Sequence, residues 1–256
     1  MQAVNPPPDG GYPGGNTAEG NFALRHLTTG TFNTAVGLFS LALNTGGNSI
    51  TGVGASALRN NAIGINNTAS GALALFHNTT GFDNTANGHP ALFSNTSGER
   101  NIATGSEALL SNTTGSFNTA TGVDALFSNT HGSSNTANGG GALFSNTTGF
   151  ENTAIGENTL VNNTIGTDNT AVGESALLSN INGTDNTAVG FLAGSNVIDA
   201  SNVTCIGANV AGANVSNTTW IGNVYGSDTQ NAQTAPVIVS VDGQLGTSAR
   251  SISARV

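Results

Sequence analysis

Few side chains in this 256-residue chain could do acid–base or metal chemistry, and their spacing decides what they could do. Glu151, Asp168 and Asp185 recur at intervals of 17 residues, and Glu157 and Glu174 share that interval. If the backbone coils with the same period, these carboxylates stack about 5 Å apart, where like charges repel. A bound Ca²⁺ would relieve the repulsion, which makes Glu151, Asp168 and Asp185 candidate metal ligands. Exposed acids cost little in water, so the competing reading is a set of solvated turn residues, as also at Asp83. His26, His77, His89 and His131 do not converge. His26 and His77 share a phase, but three coils, about 14 Å, would separate them, too far for one metal ion. The chain has no phosphate-binding glycine loop, no HExxH, no cysteine pair, and no Gly-x-Ser-x-Gly with a usable triad. No catalytic residue and no cofactor follow from this set, and the expectation is a protein that is not an enzyme.

What must position these residues is the interval itself. The pattern NTAxG starts at Asn16 and returns at Asn33, Asn67, Asn84, Asn118, Asn135, Asn152, Asn169 and Asn186. Degenerate copies at Ile50, Asn101 and Val203 keep the same phase, so twelve registers run from 16 to 207 with no insertion or deletion. Such spacing is what a solenoid needs, since each coil stacks its side chains on the coil below. The expected organisation is a Pro/Gly-rich leader over 1–15, a solenoid over 16–207, and closing coils with a hairpin over 208–256, turning at Asp242-Gly243.

A full copy reads NTAxG-xxALFSNTTGxx, as from Asn135 to Glu151. Thr-Ala-x and Ala-Leu-Phe-Ser read as two short strands, and NTTG as a turn in which Asn and Gly accept the left-handed conformation. Leucine fills one column from Leu24 to Leu177, alanine another from Ala18 to Ala188, and asparagine a third from Asn44 to Asn180. The leucines would form an aliphatic spine, the alanines would let opposite walls approach, and the stacked amides could bond from coil to coil. At about 4.8 Å per coil the body would be near 58 Å long. Cys205 stands in the alanine column and reads as a small buried hydrophobe.

The residue after the leucine reads Arg59 and then an apolar series, Phe76, Phe93, Leu110, Phe127, Phe144, Val161 and Leu178. If Ala-Leu-Phe-Ser is a strand, alternation turns this second stripe outward. A stripe of that length is too large a patch to leave in water, so it is assigned to a homo-oligomer interface, for which three-fold packing is a closed solution.

Composition excludes other classes. Charged residues make up 7% of the chain, lysine is absent, and net charge is −9. Five scattered arginines build no phosphate-tracking surface, which argues against nucleic acid and against anionic membrane surfaces. No apolar run reaches the length of a membrane span. The first residues lack the basic and apolar regions of a signal peptide and resemble the start of a mature secreted chain with an added Met1. The sequons, such as Asn78-Thr79-Thr80, are by-products of the repeat.

Repeats such as Asn169-Thr-Ala-Val-Gly and Asn186-Thr-Ala-Val-Gly resemble the S-V-A-I-G head repeats of trimeric autotransporter adhesins, the YadA-like group, over roughly residues 16 to 225. That resemblance implies a left-handed parallel β-roll that trimerises, although 17 residues exceed the usual family repeat and no stalk or barrel anchor is present. The tail, Asn223-Val-Tyr-Gly and then Pro236 to Thr247, looks like the segment preceding an intramolecular chaperone domain of the S74 peptidase type. Such domains cleave themselves with a Ser–Lys pair, and this chain has no lysine.

The expected fold is therefore all-β, a parallel β-solenoid of about twelve coils assembled as a trimer. The expected role is a secreted or surface-displayed bacterial structural or adhesive module whose partners are its own copies and a host or matrix ligand. An extracellular filament subunit and a phage-type fibre shaft are the alternatives. Ice binding ranks behind them. The Thr column from Thr17 to Thr204 could order water, but its same-face neighbour varies (Val36, Ser70, Asn87, Thr121, Asn138, Ile155) where a matching plane would carry threonine twice.

Overall fold

The computed structural model describes residues 12–222, 237–239 and 245–247. The chain divides into two units, Met1–Gly222 and Asn223–Val256. In the first, thirteen short parallel strands form one sheet in sequence order. They are β1 (Thr17–Glu19), β2 (Thr34–Val36), β3 (Thr51–Val53), β4 (Thr68–Ser70), β5 (Thr85–Asn87), β6 (Ile102–Thr104) and β7 (Thr119–Thr121). The series continues with β8 (Thr136–Asn138), β9 (Thr153–Ile155), β10 (Thr170–Val172), β11 (Thr187–Val189), β12 (Val203–Ile206) and β13 (Thr218–Ile221). The fold is an all-β parallel solenoid of about twelve turns, with no helix among the described residues. In the second unit β14 (Val237–Val239) pairs antiparallel with β15 (Leu245–Thr247). The expected turn at Asp242-Gly243 lies outside the described residues.

Register is set by identity. Threonine pairs with threonine and alanine with alanine from strand to strand, as in Thr170↔Thr187 and Ala171↔Ala188. The final coil is two residues shorter, since Val203 pairs with Thr218. At the other end the solenoid begins before Asn16. Phe32 donates to the Gly14 carbonyl at 2.8 Å, the same coil-to-coil bond that Ser49 makes to Thr31, and Gly14 and Gly15 already adopt positive φ.

The interior of each coil is narrow. The alanine column, a second alanine column (Ala57, Ala74, Ala91), the leucines and two asparagine columns are almost wholly buried. Buried amides must be bonded, and these are. In one column each Nδ2 donates both to the Oδ1 of the preceding coil and to a glycine carbonyl in its own, as in Asn112 to Asn95 at 2.9 Å and to Gly115 at 3.0 Å. In the other, Oδ1 accepts from the next coil's backbone N–H, as Asn118 does from Asn135 at 3.0 Å. No buried side-chain nitrogen or oxygen is left without a partner among the described residues. The glycine closing NTAxG is required twice over. Gly122 has φ +136°, and a Cβ there would lie 2.5 Å from the Gly139 carbonyl oxygen.

The second expected strand does not form. Ala-Leu-Phe-Ser is a turn, and its leucines from Leu24 to Leu177 have φ between 49° and 54°. A left-handed residue breaks the alternation of faces, so alanine and leucine, though adjacent, both point inward. The left-handed conformation costs an L-residue about 1–2 kcal/mol, and full burial of a leucine recovers about 1.5–3 kcal/mol. Coil-to-coil bonding persists in the turn. Leu109 donates to Ala125 and Ser111 to Phe127, both at 3.0 Å.

Candidate functional site

Three outer surfaces run along the coils. The first is the solvent face of the sheet. In each of β1 to β11 the central residue is buried and its two neighbours face outward, exposed or half-exposed. The leading outward position is threonine in twelve of the thirteen strands, with Ile102 as the exception and Thr219 as the last member. The trailing position varies, but nine of its thirteen residues are Val, Ile or Thr, and the only charge on the face is Glu19. No hydroxyl of this threonine column is engaged by the protein among the described residues. A second threonine column behaves oppositely. Thr79, Thr96, Thr113, Thr130 and Thr147 each donate Oγ1 to the matching carbonyl of the next coil, at 2.9–3.0 Å. That column was not singled out from the sequence, and its NTTG spacing carries no mark separating a spent hydroxyl from a free one.

The second surface carries the residues expected at an oligomer interface. Phe76, Phe93, Leu110, Phe127, Phe144, Val161 and Leu178 are all half-buried within the single chain. Their placement does not follow from strand alternation, since the segment is not a strand. The rings cover one another. Phe76 and Phe93 stack at 5.3 Å between centroids, and Phe127 and Phe144 at 4.9 Å. His77 sits edge-on to Phe76 and Phe93. Arg59 joins the first of these stacks, lying over Phe39 and Phe76, which sequence reasoning missed, and Arg100, in the column that later carries the acids, lies over Phe82 and Phe117, at 5.0 to 5.6 Å. An Arg and a Phe 17 residues apart, as in Arg59–Phe76 and Arg100–Phe117, was the available signal.

The third surface holds the acids. Glu151, Asp168 and Asp185 stack as expected of their spacing, all exposed and all with φ of 56° to 58°. The hydrogen bond and the like charge of Asp168 push the Glu151 carboxyl above its usual value. No group of three or more His, Cys, Asp or Glu side chains stands close enough to hold a metal ion among the described residues. His26, His77, His89 and His131 remain apart. Cys205 is buried, and burial pushes its thiol up.

A shallow groove of about 430 Å³ lies between two outer columns, lined by Ser145, Asn162, Ser179, Thr164, Ile181 and Ile198. None of these six side chains ionises. No protein-family model, no curated protein and no solved structure matches this chain.

Proposed function

We propose that this chain is a non-catalytic structural and adhesive module, secreted or displayed at a bacterial cell surface, that presents the same side chains at every coil. The observation that carries the reading is the division between interior and exterior. Among the described residues every buried polar side chain is hydrogen-bonded within or between coils, while the sheet face repeats small, mostly uncharged groups at fixed spacing. A surface of that kind works through many weak contacts made together. The resemblance to YadA-like heads supports the same role and suggests a homotrimer, packed through the Phe/Leu column from Phe76 to Leu178.

A filament subunit is the second reading, favoured by the last coil, where Trp220 is 41% exposed and Ile221 47%. Unpaired strand ends of that kind invite head-to-tail stacking. Against it, Tyr12 bridges to Asn16 and packs against the core at the first coil. Light scattering over a concentration series separates the readings. A fixed mass near three times 25.4 kDa is expected, falling to one chain when Phe127 and Phe144 are both changed to Asp. A fixed monomer mass overturns the trimer, and a mass that grows with concentration favours the filament.

A further inference from the structure

We propose that the sheet face of the solenoid binds ice, with its threonine column as the anchoring rank. The inference names a ligand for the display reading but does not depend on the trimer.

The outward positions form a two-dimensional lattice. Strands recur about every 4.8 Å along the stack, and the two outward residues of each strand lie about 6.7 Å apart. Because the pairing is in register throughout β1 to β12, the lattice carries no dislocation over those strands. Twenty-two of the twenty-six outward residues are β-branched. Such side chains are restricted at χ1, so the backbone lattice narrows where each methyl and hydroxyl sits. A partner that is itself periodic can match this array, whereas an ordinary protein surface cannot.

The chemistry narrows the partner further. The hydroxyls of the threonine column are unspent, unlike those of the Thr79–Thr147 column, whose Oγ1 atoms are all bonded internally. With Glu19 as the only charge, the face offers nothing to an ionic ligand. From β1 to β12 its outward positions carry no aromatic ring, the platform on which the apolar faces of sugars stack. What remains is an uncharged lattice of hydroxyls and methyls, suited to a partner that accepts and donates hydrogen bonds at regular intervals. One hydroxyl–water bond contributes on the order of 1 kcal/mol, but twelve on one rigid body engage together. The mixed trailing column interrupts the array at Glu19, in the first strand, and at the uncharged Ser70, Asn87 and Asn138.

The test is partition of the full chain into slowly grown ice, together with ice recrystallisation. Wild type is expected to enter the ice several-fold above a bystander protein and to keep crystals small. Changing Thr136 and Thr153 both to Tyr should return both readouts to background, while Thr114→Tyr, on an exposed turn away from the sheet, should leave them unchanged. Resistance of Cys205 to thiol reagents certifies that each variant is folded. Exclusion of wild type from ice overturns the proposal, whatever the variants do. So does ice affinity that survives the sheet substitutions, and so does retention on insoluble cellulose or chitin without ice affinity. A trimer that ice excludes would overturn this inference and leave the display reading standing.

Discussion

Ser40 stands where other coils carry alanine, and its fully buried hydroxyl donates to the Gly52 carbonyl at 2.8 Å. Gly52 in turn stands where other coils carry alanine, and a Cβ there would lie 2.7 Å from the Ser40 hydroxyl. Each departure makes room for the other. Gly52→Ala alone is therefore expected to destabilise by about 1–3 kcal/mol through overpacking, and Ser40→Ala added to it should restore most of the loss. Denaturant melts of the four members of that cycle measure the coupling, and additive effects would contradict it. Glu151 gives a second residue-scale expectation. Its folded carboxyl is raised by Asp168, so the folded state binds that proton more readily than the unfolded chain does. The associated stability is present at acid pH and is lost as pH rises through the raised titration. Glu151→Gln should therefore raise Tm at neutral pH, with the difference from wild type vanishing at acid pH. Thermal melts across pH would refute this if the gain were the same at both ends.

At the scale of the element, the strand, its register and the closing glycine were all legible, because identical residues at fixed spacing can only stack on themselves. The second strand was misread for a physical reason. Leucine is a poor left-handed residue taken alone, and nothing in Ala-Leu-Phe-Ser announces that burial will hold it there through ten coils. The acid column was legible from spacing, whereas the roles of the two threonine columns depend on which carbonyl lies within reach of each hydroxyl. Since each coil contacts only its neighbours, coils should be removable whole. Deleting Asn118–Ser134 joins Phe117 to Asn135 in phase and is expected to leave a cooperative, slightly less stable fold. Deleting about half that length should abolish it, because every interior column would then meet the wrong partner. Circular dichroism and hydrogen exchange on the two deletions would read the contrast, and equal tolerance of both would count against the stacking argument.

For the whole molecule, the asparagine columns have a sense as well as a position. Each Nδ2 points toward the preceding coil and each Oδ1 toward the next, a direction pinned because Nδ2 also donates to a carbonyl that can only accept. Their dipoles therefore add along the solenoid, leaving its N-terminal end partly positive and its C-terminal end partly negative, as aligned peptides do in a helix. The stack is in this respect a small permanent electret. Solenoids laid side by side in the same direction oppose one another's fields, and solenoids placed end to end reinforce them. A parallel trimer must overcome that opposition with its apolar contacts, and an applied electric field should orient the molecule in solution with its first coil toward the cathode.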